Sequence, residues 1–422
     1  MQNALETPIM PLGSDVQLMQ PFRIIIVMVE PPLPFGNAAA RWYYVLLKGL
    51  VERGHRVTAF ATCSKPADIE EAKQLFPAPA YDLRCYPHPH RGGLGAKWET
   101  LRRPYSYMFS PQFKNDLEAE LARGFDVLHL EQLWSGWMGL SHADRALVNV
   151  HYLPSMDLAR EERSAGTHLA LRAERTLLRR FSRISTLTLR LAEAVHRANS
   201  RAVVTVVPLG MDASLYTFQL PDAKRSATVS LIGSFDWLPT LNAGIRILTR
   251  LWPAIHAACP GTRLQLVGRN AGLLKTRVPE KLLEGVSIVE NVPDTLPYFY
   301  GTDVLLYPAE QASGMKVKVM EAFALGVPVV TTAVGIEGLP ALDGVHAGIT
   351  EDDAGLIART VALLRDIEIR KGQAVAARQL VENHCSPAGS LDSLEEIYGG
   401  FSNRLAGSQQ KAIAPCARQG AS

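Results

Sequence analysis

The sequence has neither a paired-cysteine motif nor a long apolar run. Its five cysteines are scattered, with no CxxC pair and no metal-ligand spacing: Cys63, Cys85, Cys259, Cys385 and Cys416. Such usage is typical of a reducing compartment and argues against structural zinc. No apolar run approaches the roughly 20 residues that a membrane span requires. Residues 1–20 have no basic start and no apolar core, so we expect a flexible leader rather than a secretory signal, and a cytoplasmic protein.

Excess charge and several common motifs are also missing. A net charge of +3 over 422 residues gives no indication of nucleic-acid binding. The first apolar run is not followed by G-x-G-x-x-G, and the sequence has no Walker lysine motif and no G-x-S-x-G elbow. It also has no Asp-x-Asp motif, so no bound metal and no other cofactor is implied.

The stretch 303–332 predicts a strand, a loop, a helix over 315–325 and a second strand. The N–H groups at the start of such a helix carry partial positive charge and suit a phosphate. Lys316 and Lys318 add full charges, and the Glu321 carboxylate suits ribose hydroxyls. The stretch therefore predicts a nucleotide site, or, as the alternative, an ordinary βαβ crossover with surface lysines.

Apolar runs alternate with helical patterns along the whole chain, which predicts an α/β fold of two doubly wound, Rossmann-like domains facing across a cleft. The predicted strands are 22–29, 55–62, 125–130, 146–151, 185–189, 203–207, 228–232, 264–267, 286–289, 303–307 and 327–332. The predicted divisions are a leader 1–20, a first domain 21–208, a second domain 209–386, a helix 387–405 that crosses back to the first domain, and a disordered tail 406–422.

Ligands of such folds bind at the carboxyl ends of strands. We therefore expect one crevice to collect Gly36 and the pair His129 and Glu131 from the first domain, facing strand ends and a helix tip of the second: Gly233, Gly268, Arg269, Asn291 and Gly314. A lone glycine or histidine at such a position is as often structural as functional.

Two further segments leave alternatives open. Residues 81–113 look irregular and aromatic, which suits contact with sugar faces or an acceptor tail, or else a satellite hydrophobic cluster. Residues 160–201 hold ten arginines and four acids. This basic amphipathic segment predicts weak peripheral association with an anionic membrane, contact with a phosphate-bearing acceptor, or simply a solvated outer helix.

Four segments resemble the GT-B glycosyltransferases of the family-4 type: VPLGMD (207–212), LIGSFDWLPTLNAG (231–244), LVGRN (266–270) and SGMKVKVMEAFALGVPVVTTAVGIEGL (313–339). The resemblance covers roughly residues 22–402 and is greatest to the exopolysaccharide-associated members. It implies a retaining, nucleotide-sugar-dependent transferase with the donor bound between two Rossmann-like domains.

The resemblance also implies roles for individual residues. Glu321 would bind the donor ribose, Gly36 would face the donor phosphates, and His129 and Glu131 would lie near the reacting sugar. The helix start would cradle the diphosphate through Gly314, Met315 and Lys316, and we expect further donor contacts at Gly233, Ser234 and Asn291.

Two departures from the family pattern bear on the chemistry. Ser313 stands where the family has a glutamate that contacts sugar hydroxyls. The family's Arg and Lys near the glycine-ending strand are replaced by Ser234 and Pro239. Because a departing diphosphate needs compensating charge, we expect Lys318 and Arg269 to supply it.

The predicted function is transfer of a sugar from a UDP- or GDP-sugar to a hydroxyl group of a saccharide or lipid-linked acceptor, with retention of configuration. The expected location is cytoplasmic, with peripheral association at the inner face of the cell membrane. The alternatives are a non-catalytic GT-B partner that acts as scaffold or regulator in polysaccharide assembly, and a nucleotide-sugar epimerase.

Overall fold

The computed structural model describes residues 21–90, 94–158, 164–222 and 227–412. Within these ranges no helix combines the length and the apolar character that a membrane crossing requires. The predicted leader 1–20 and residues 413–422 of the predicted tail lie outside the described residues. So do residues 160–163 of the basic segment.

The first half of the chain forms a parallel sheet of seven strands in the order β3-β2-β1-β4-β5-β6-β7. The strands are β1 (Arg23–Met28), β2 (Arg56–Cys63), β3 (Asp82–Pro87), β4 (Val127–Glu131), β5 (Ala146–Val150), β6 (Arg183–Thr186) and β7 (Val203–Val206). The strand order reverses between β1 and β4, and the crevice at such a reversal is the usual ligand position.

Among the described residues of this half, the helices that accompany the sheet are α1 (Ala38–Glu52), α2 (Pro66–Leu75), α3 (Leu94–Arg102), α4 (Pro111–Ala122), α5 (Pro154–Asp157), α6 (Ala165–Leu178) and α7 (Leu189–Ala198). The interpretation of 81–113 as irregular is wrong, since it contains β3, α3 and a 3-10 turn, Ser106–Met108. Two of its rings, Tyr86 and Phe109, belong to the core, whereas Trp98 and Tyr107 are exposed.

The second half forms a parallel sheet of six strands in the order β10-β9-β8-β11-β12-β13. The strands are β8 (Thr228–Ile232), β9 (Arg263–Gly268), β10 (Val286–Glu290), β11 (Val304–Tyr307), β12 (Val329–Thr331) and β13 (Gly348–Ile349). The prediction of two doubly wound α/β domains is thus confirmed.

The helices of the second half are α8 (Leu238–Arg246), α9 (Trp252–Ala258), α10 (Leu296–Tyr300), α11 (Val317–Leu325), α12 (Asp353–Arg365), α13 (Ile367–His384) and α14 (Pro387–Ala412). Helix α11 ends at Gly326, which has φ +86° and whose missing Cβ would lie 2.2 Å from the Gln219 carbonyl oxygen. Only glycine fits this left-handed position beside backbone.

The chain passes between the two sheets twice, and the two passages touch. The Met211 N–H donates to the Cys385 carbonyl oxygen over 2.7 Å, and a Cβ on Gly210 would lie 2.7 Å from Pro387 Cα. Helix α14 then packs on α1, where Arg53 bridges to Asp392 over 2.7 Å. It runs to Ala412, beyond the predicted boundary at 405.

Candidate active site

The loop before α11 packs against the first domain. Gly314 has φ +75°, and a Cβ there would lie 2.0 Å from the His151 carbonyl oxygen. The Ser313 hydroxyl accepts from the Leu153 N–H over 3.0 Å and donates to Asp157 Oδ1 over 2.7 Å. Ser313 therefore joins the two domains at the tip of α11, instead of facing open solvent.

Asp157, at the end of α5, is a candidate site residue that sequence reasoning missed. It is 6% exposed, and its Oδ2 has no hydrogen-bond partner among the described residues. Burial raises the pKa of Asp157 to about 7, although the Ser313 hydroxyl and the Lys316 charge partly oppose this shift. The only hint in the sequence is its position shortly after the strand end at His151.

Lys318, in the first turn of α11, lies beside the turn that follows β8. Its ammonium donates to Thr240 Oγ1 over 2.5 Å and lies 4.1 Å from the centroid of the Tyr307 ring. A Cβ on Gly233 would lie 3.0 Å from Lys318 Nζ, so the ammonium borders the glycine. Burial lowers the pKa of Lys318 to about 7, and the charge of Lys316 acts in the same direction.

Arg269 approaches the same turn from the other side. Its Nε lies 3.2 Å from Ser234 Oγ and 2.8 Å from an oxygen of Asp236. The turn is tight, because a Cβ on Gly268 would lie 1.9 Å from the Gly233 carbonyl oxygen. The structure therefore places Lys318 and Arg269 around the 233–234 turn.

Asn291, which was predicted to contact the donor nucleotide sugar, stabilises this turn through contacts with Gly268 and Asn270. Its backbone adopts φ +55°, its N–H donates to the Gly268 carbonyl oxygen, and its side-chain oxygen accepts from the Asn270 N–H over 3.0 Å. The observed contacts hold the glycine loop in place, and the amide oxygen is already used in doing so.

The Lys316 and Met315 side chains do not face the crevice, contrary to the predicted diphosphate cradle. Lys316 is buried, contacts the Gly314 carbonyl oxygen and lies 3.7 Å from Glu337. Burial lowers its pKa to about 8, opposed by Glu337. Met315 accepts the Leu209 N–H at its sulfur over 3.1 Å. In both cases contacts with neighbouring residues engage the side chain, so only the backbone at these positions remains for an anion.

Glu321 lies on α11 at the interface with α1. Its carboxylate forms an ion pair with Arg41 of the first domain. Arg41 also donates to the Gly36 carbonyl oxygen over 3.0 Å and to the Tyr216 hydroxyl over 3.3 Å. Arg41, a cation that sequence reasoning missed, thus lies between Gly36 and Glu321 and contacts both.

His129 and Glu131 are both fully buried, which corrects their predicted place beside the reacting sugar. Residues i and i+2 of a strand face the same side, and here that side lies under α14. His129 Nδ1 lies 2.6 Å from the Tyr398 hydroxyl, and Glu131 accepts from Trp42 Nε1 over 2.9 Å and from His151 Nε2 over 2.6 Å. His151, at the strand end, is the histidine of this group with some exposure, 8%.

Glu131 orients His151 electrostatically. Burial alone raises the pKa of Glu131, but the contacts with His129 and His151 lower it more, and the net value lies well below the usual range. Glu131 is therefore a permanent carboxylate that holds the ring of His151. Its action on a ligand in the cleft would pass through that ring.

The site combines cations and carboxylates around the start of α11. Lys318 and Arg269 surround a glycine turn near a helix N-terminus, which suits a diphosphate. Glu321 within α11 and Asp157 beside the loop before α11 are carboxylates, which suit hydroxyl groups. Within the described parts of the chain, no group of three or more His, Cys, Asp or Glu side chains could hold a metal ion.

Comparison with protein families gives two matches. Residues 38–210 match the model described as "Glycosyl transferase 4-like domain", and residues 227–366 match "Glycosyl transferases group 1". The two ranges together span about three quarters of the chain and fall one on each domain. Comparison with curated protein sequences gave no match.

Solved structures share the fold at low sequence identity. Sucrose-phosphate synthase from Thermosynechococcus elongatus is 18% identical, covering 92% of this chain and 100% of its own, with a TM-score of 0.65. Anabaena HepE in complex with UDP and glucose is 14% identical over 90% and 100%, at 0.66. WaaG, a glycosyltransferase involved in lipopolysaccharide biosynthesis, is 16% identical over 88% and 98%, at 0.62.

Proposed function

Because this chain belongs to the GT-B glycosyltransferases that the group 1 and 4-like family models describe, we propose that it transfers a sugar from a UDP- or GDP-sugar to an acceptor hydroxyl with retention. The observation that carries the proposal is Lys318, whose ammonium borders Gly233 at the start of α11. A half-buried cation beside a glycine turn and a helix N-terminus suits a diphosphate leaving group.

The diphosphate would lie between the 233–234 turn and the tip of α11. The first N–H groups of a helix have no acceptor within the helix, so they remain available to phosphate oxygens. Lys318 and Arg269 would balance the charge that develops as the bond to the sugar breaks. In this proposal the helix N–H groups bind phosphate oxygens, and the two side chains supply the compensating positive charge.

The ribose hydroxyls would bind Glu321 and thereby replace Arg41 as its partner. The released guanidinium would remain next to Gly36, whose carbonyl oxygen it already contacts. UDP is favoured over GDP because HepE was solved with UDP and glucose.

Retention would follow from attack on the face that the diphosphate leaves. The acceptor oxygen bonds to the anomeric carbon as the bond to the diphosphate breaks, and a phosphate oxygen takes the hydroxyl proton. His151, held by Glu131, would lie close to the developing positive charge on the sugar ring. Approach of the two domains would exclude water from this step.

The acceptor is proposed to be a saccharide or a lipid-linked glycan, with the protein at the inner face of the cell membrane. Support comes from α3, where Trp98 and Leu101 are 64% and 55% exposed and the Arg102 guanidinium lies 5.6 Å from the Trp98 ring centroid. Exposed apolar side chains beside arginine suit an anionic lipid surface. Failure to bind anionic vesicles at low salt would remove the membrane part of this proposal.

The function is tested by calorimetry with UDP, GDP and a panel of their sugars, followed by product analysis with saccharide acceptors. Glu321→Ala is expected to weaken nucleotide binding about 10- to 100-fold, because a charged hydrogen-bond acceptor for ribose is lost. Glu368→Ala is the matched control, since this exposed carboxylate on α13 pairs with the surface residue Lys371. Equal nucleotide affinity in both variants would contradict the assignment of Glu321.

A non-catalytic role in polysaccharide assembly is the second candidate. It is favoured by the contacts of Glu321 with Arg41 and of Ser313 with Asp157, which occupy both carboxylate positions with the protein's own groups. Transfer to any acceptor, or steady hydrolysis of a nucleotide sugar, would eliminate it.

A further inference from the structure

Asp157 is a buried carboxylate in which one of the two oxygens has a hydrogen-bond partner among the described residues. Its Oδ1 accepts from the Ser313 hydroxyl over 2.7 Å, and its Oδ2 has no hydrogen-bond partner among the described residues. A buried carboxylate oxygen without a partner costs free energy. Such an unsatisfied group needs a reason, and its position at the α11 tip supplies one.

We propose that Asp157 recognises a hydroxyl group of the donor sugar and so contributes to the choice of sugar. The inference rests on the proposed function, in which the diphosphate lies at the tip of α11. The sugar is joined directly to that diphosphate, so it must lie next to the tip. Ser313 precedes the tip, and its hydroxyl touches Asp157, so the carboxylate borders the space that the sugar enters.

Ser313 fixes the direction of this carboxylate. Because the Ser313 hydroxyl accepts from the Leu153 N–H, its proton is directed at Asp157 Oδ1. The second oxygen, Oδ2, is left for another donor. A sugar hydroxyl is a donor of the right size, and its hydrogen bond to a carboxylate is charge-assisted.

Glu174 is a buried carboxylate near Asp157 that serves the packing of the first domain. Glu174 on α6 is also buried, and its Oε2 accepts from the Ser155 N–H over 3.0 Å. It contacts the first domain, whereas Asp157 contacts the loop of the second domain. Glu174 therefore provides a matched control in which a buried acid is neutralised without touching the interdomain site.

Recognition by Asp157 would depend on the approach of the two domains. Asp157 belongs to the first domain, and the helix tip with Ser313 belongs to the second. A sugar that offers a hydroxyl to Asp157 would stabilise the closed arrangement, whereas UDP without a sugar would not. The sugar contribution to binding is thus separable from the nucleotide contribution.

The experiment measures, by calorimetry, the affinities of the wild-type protein, Asp157→Asn and Glu174→Gln for UDP and for UDP-glucose, UDP-galactose and UDP-N-acetylglucosamine. Asp157→Asn is expected to weaken binding of the preferred UDP-sugar about 10- to 100-fold and to change UDP binding less than about twofold. Glu174→Gln is expected to change neither. Ser313→Ala, which leaves Asp157 without its support, is expected to give a smaller loss in the same direction.

The outcomes are distinct. Absence of UDP, GDP and nucleotide-sugar binding in the wild-type protein would overturn the proposed function and this inference with it. Nucleotide-sugar binding that is unchanged in Asp157→Asn, or weakened equally with UDP, would overturn the inference alone. If Asp157→Asn does not fold, Ser313→Ala decides by the same ratio of UDP to UDP-sugar affinity.

Discussion

Lys318→Met removes the ammonium that borders the glycine turn, and its effect is measurable as a change in proton uptake. Burial lowers the pKa of Lys318 to about 7. At pH 8 the free protein therefore carries a proton on only about one tenth of its Lys318 side chains. A bound diphosphate favours the charged form and raises the pKa again. Binding is expected to take up about 0.9 proton at pH 8 and about 0.1 at pH 6.

The assay is calorimetry of UDP binding in two buffers of equal pH and different ionisation enthalpy. The slope of the observed enthalpy against the buffer enthalpy gives the number of protons taken up. The measurement is made on the wild-type protein, on Lys318→Met and on the control Lys371→Met, an α13 surface lysine that pairs with Glu368 over 2.9 Å.

The difference between the wild-type protein and Lys318→Met isolates the proton of interest. Lys316 and Asp157 have pKa values of about 8 and about 7, so they can also titrate in this range. Both remain in the variant, and their contribution cancels to first order. Equal uptake in the two proteins at pH 8, with UDP bound by both, would refute a charged contact between Lys318 and the diphosphate.

Three further predictions follow from individual contacts. Arg41→Ala is expected to tighten UDP binding severalfold, because Glu321 no longer has a competing partner; weaker binding by calorimetry would assign Arg41 to the phosphates instead. Asp157→Asn is expected to raise the free energy of urea unfolding by up to about 4 kcal/mol at pH 8 and to leave it unchanged below about pH 4. Because the pKa of Asp157 is raised in the folded protein, its contribution to wild-type stability is present at low pH and is lost as pH rises through about 7. A gain in stability that does not depend on pH would contradict this prediction. Gly268→Ala is expected to cost about 2–4 kcal/mol, and the control Gly261→Ala, which meets open space, about 1 kcal/mol; equal costs would show that the contact with the Gly233 carbonyl does not matter.

Local pattern predicted the strands that are buried on both faces. RIIIVM in β1 and VLLY in β11 are apolar without alternation, because helices cover both sides of a parallel sheet. The edge strand β3, DLRCYP, has one covered face and few apolar residues, so its sequence resembles a loop. Helix α13, which the sequence did not predict, has a polar composition and is fixed by packing on α11.

The part of the site that is local in sequence was also foreseeable. Lys318 and the glycine turn at 233 follow from a helix start and a strand end, and the structure brings them together. Asp157 and Arg41 reach the site only through the packing of one domain on the other, which no local spacing encodes. For His129 the sequence predicted the position at a strand end correctly. It did not predict that α14 packs over this position and buries the side chain.

The two chain passages between the sheets, in contact at Met211 and Cys385, restrict how the molecule can move. Two adjacent connections permit rotation about the line on which they lie but resist sliding along the interface. The two domains would therefore open by a hinge rotation about residues 210–211 and 385–387, and α14 would move with the first domain. The displacement of a residue in such a rotation grows with its distance from the hinge. A small rotation at residues 210–211 would therefore separate Ser313 from Asp157 before it disturbs either sheet.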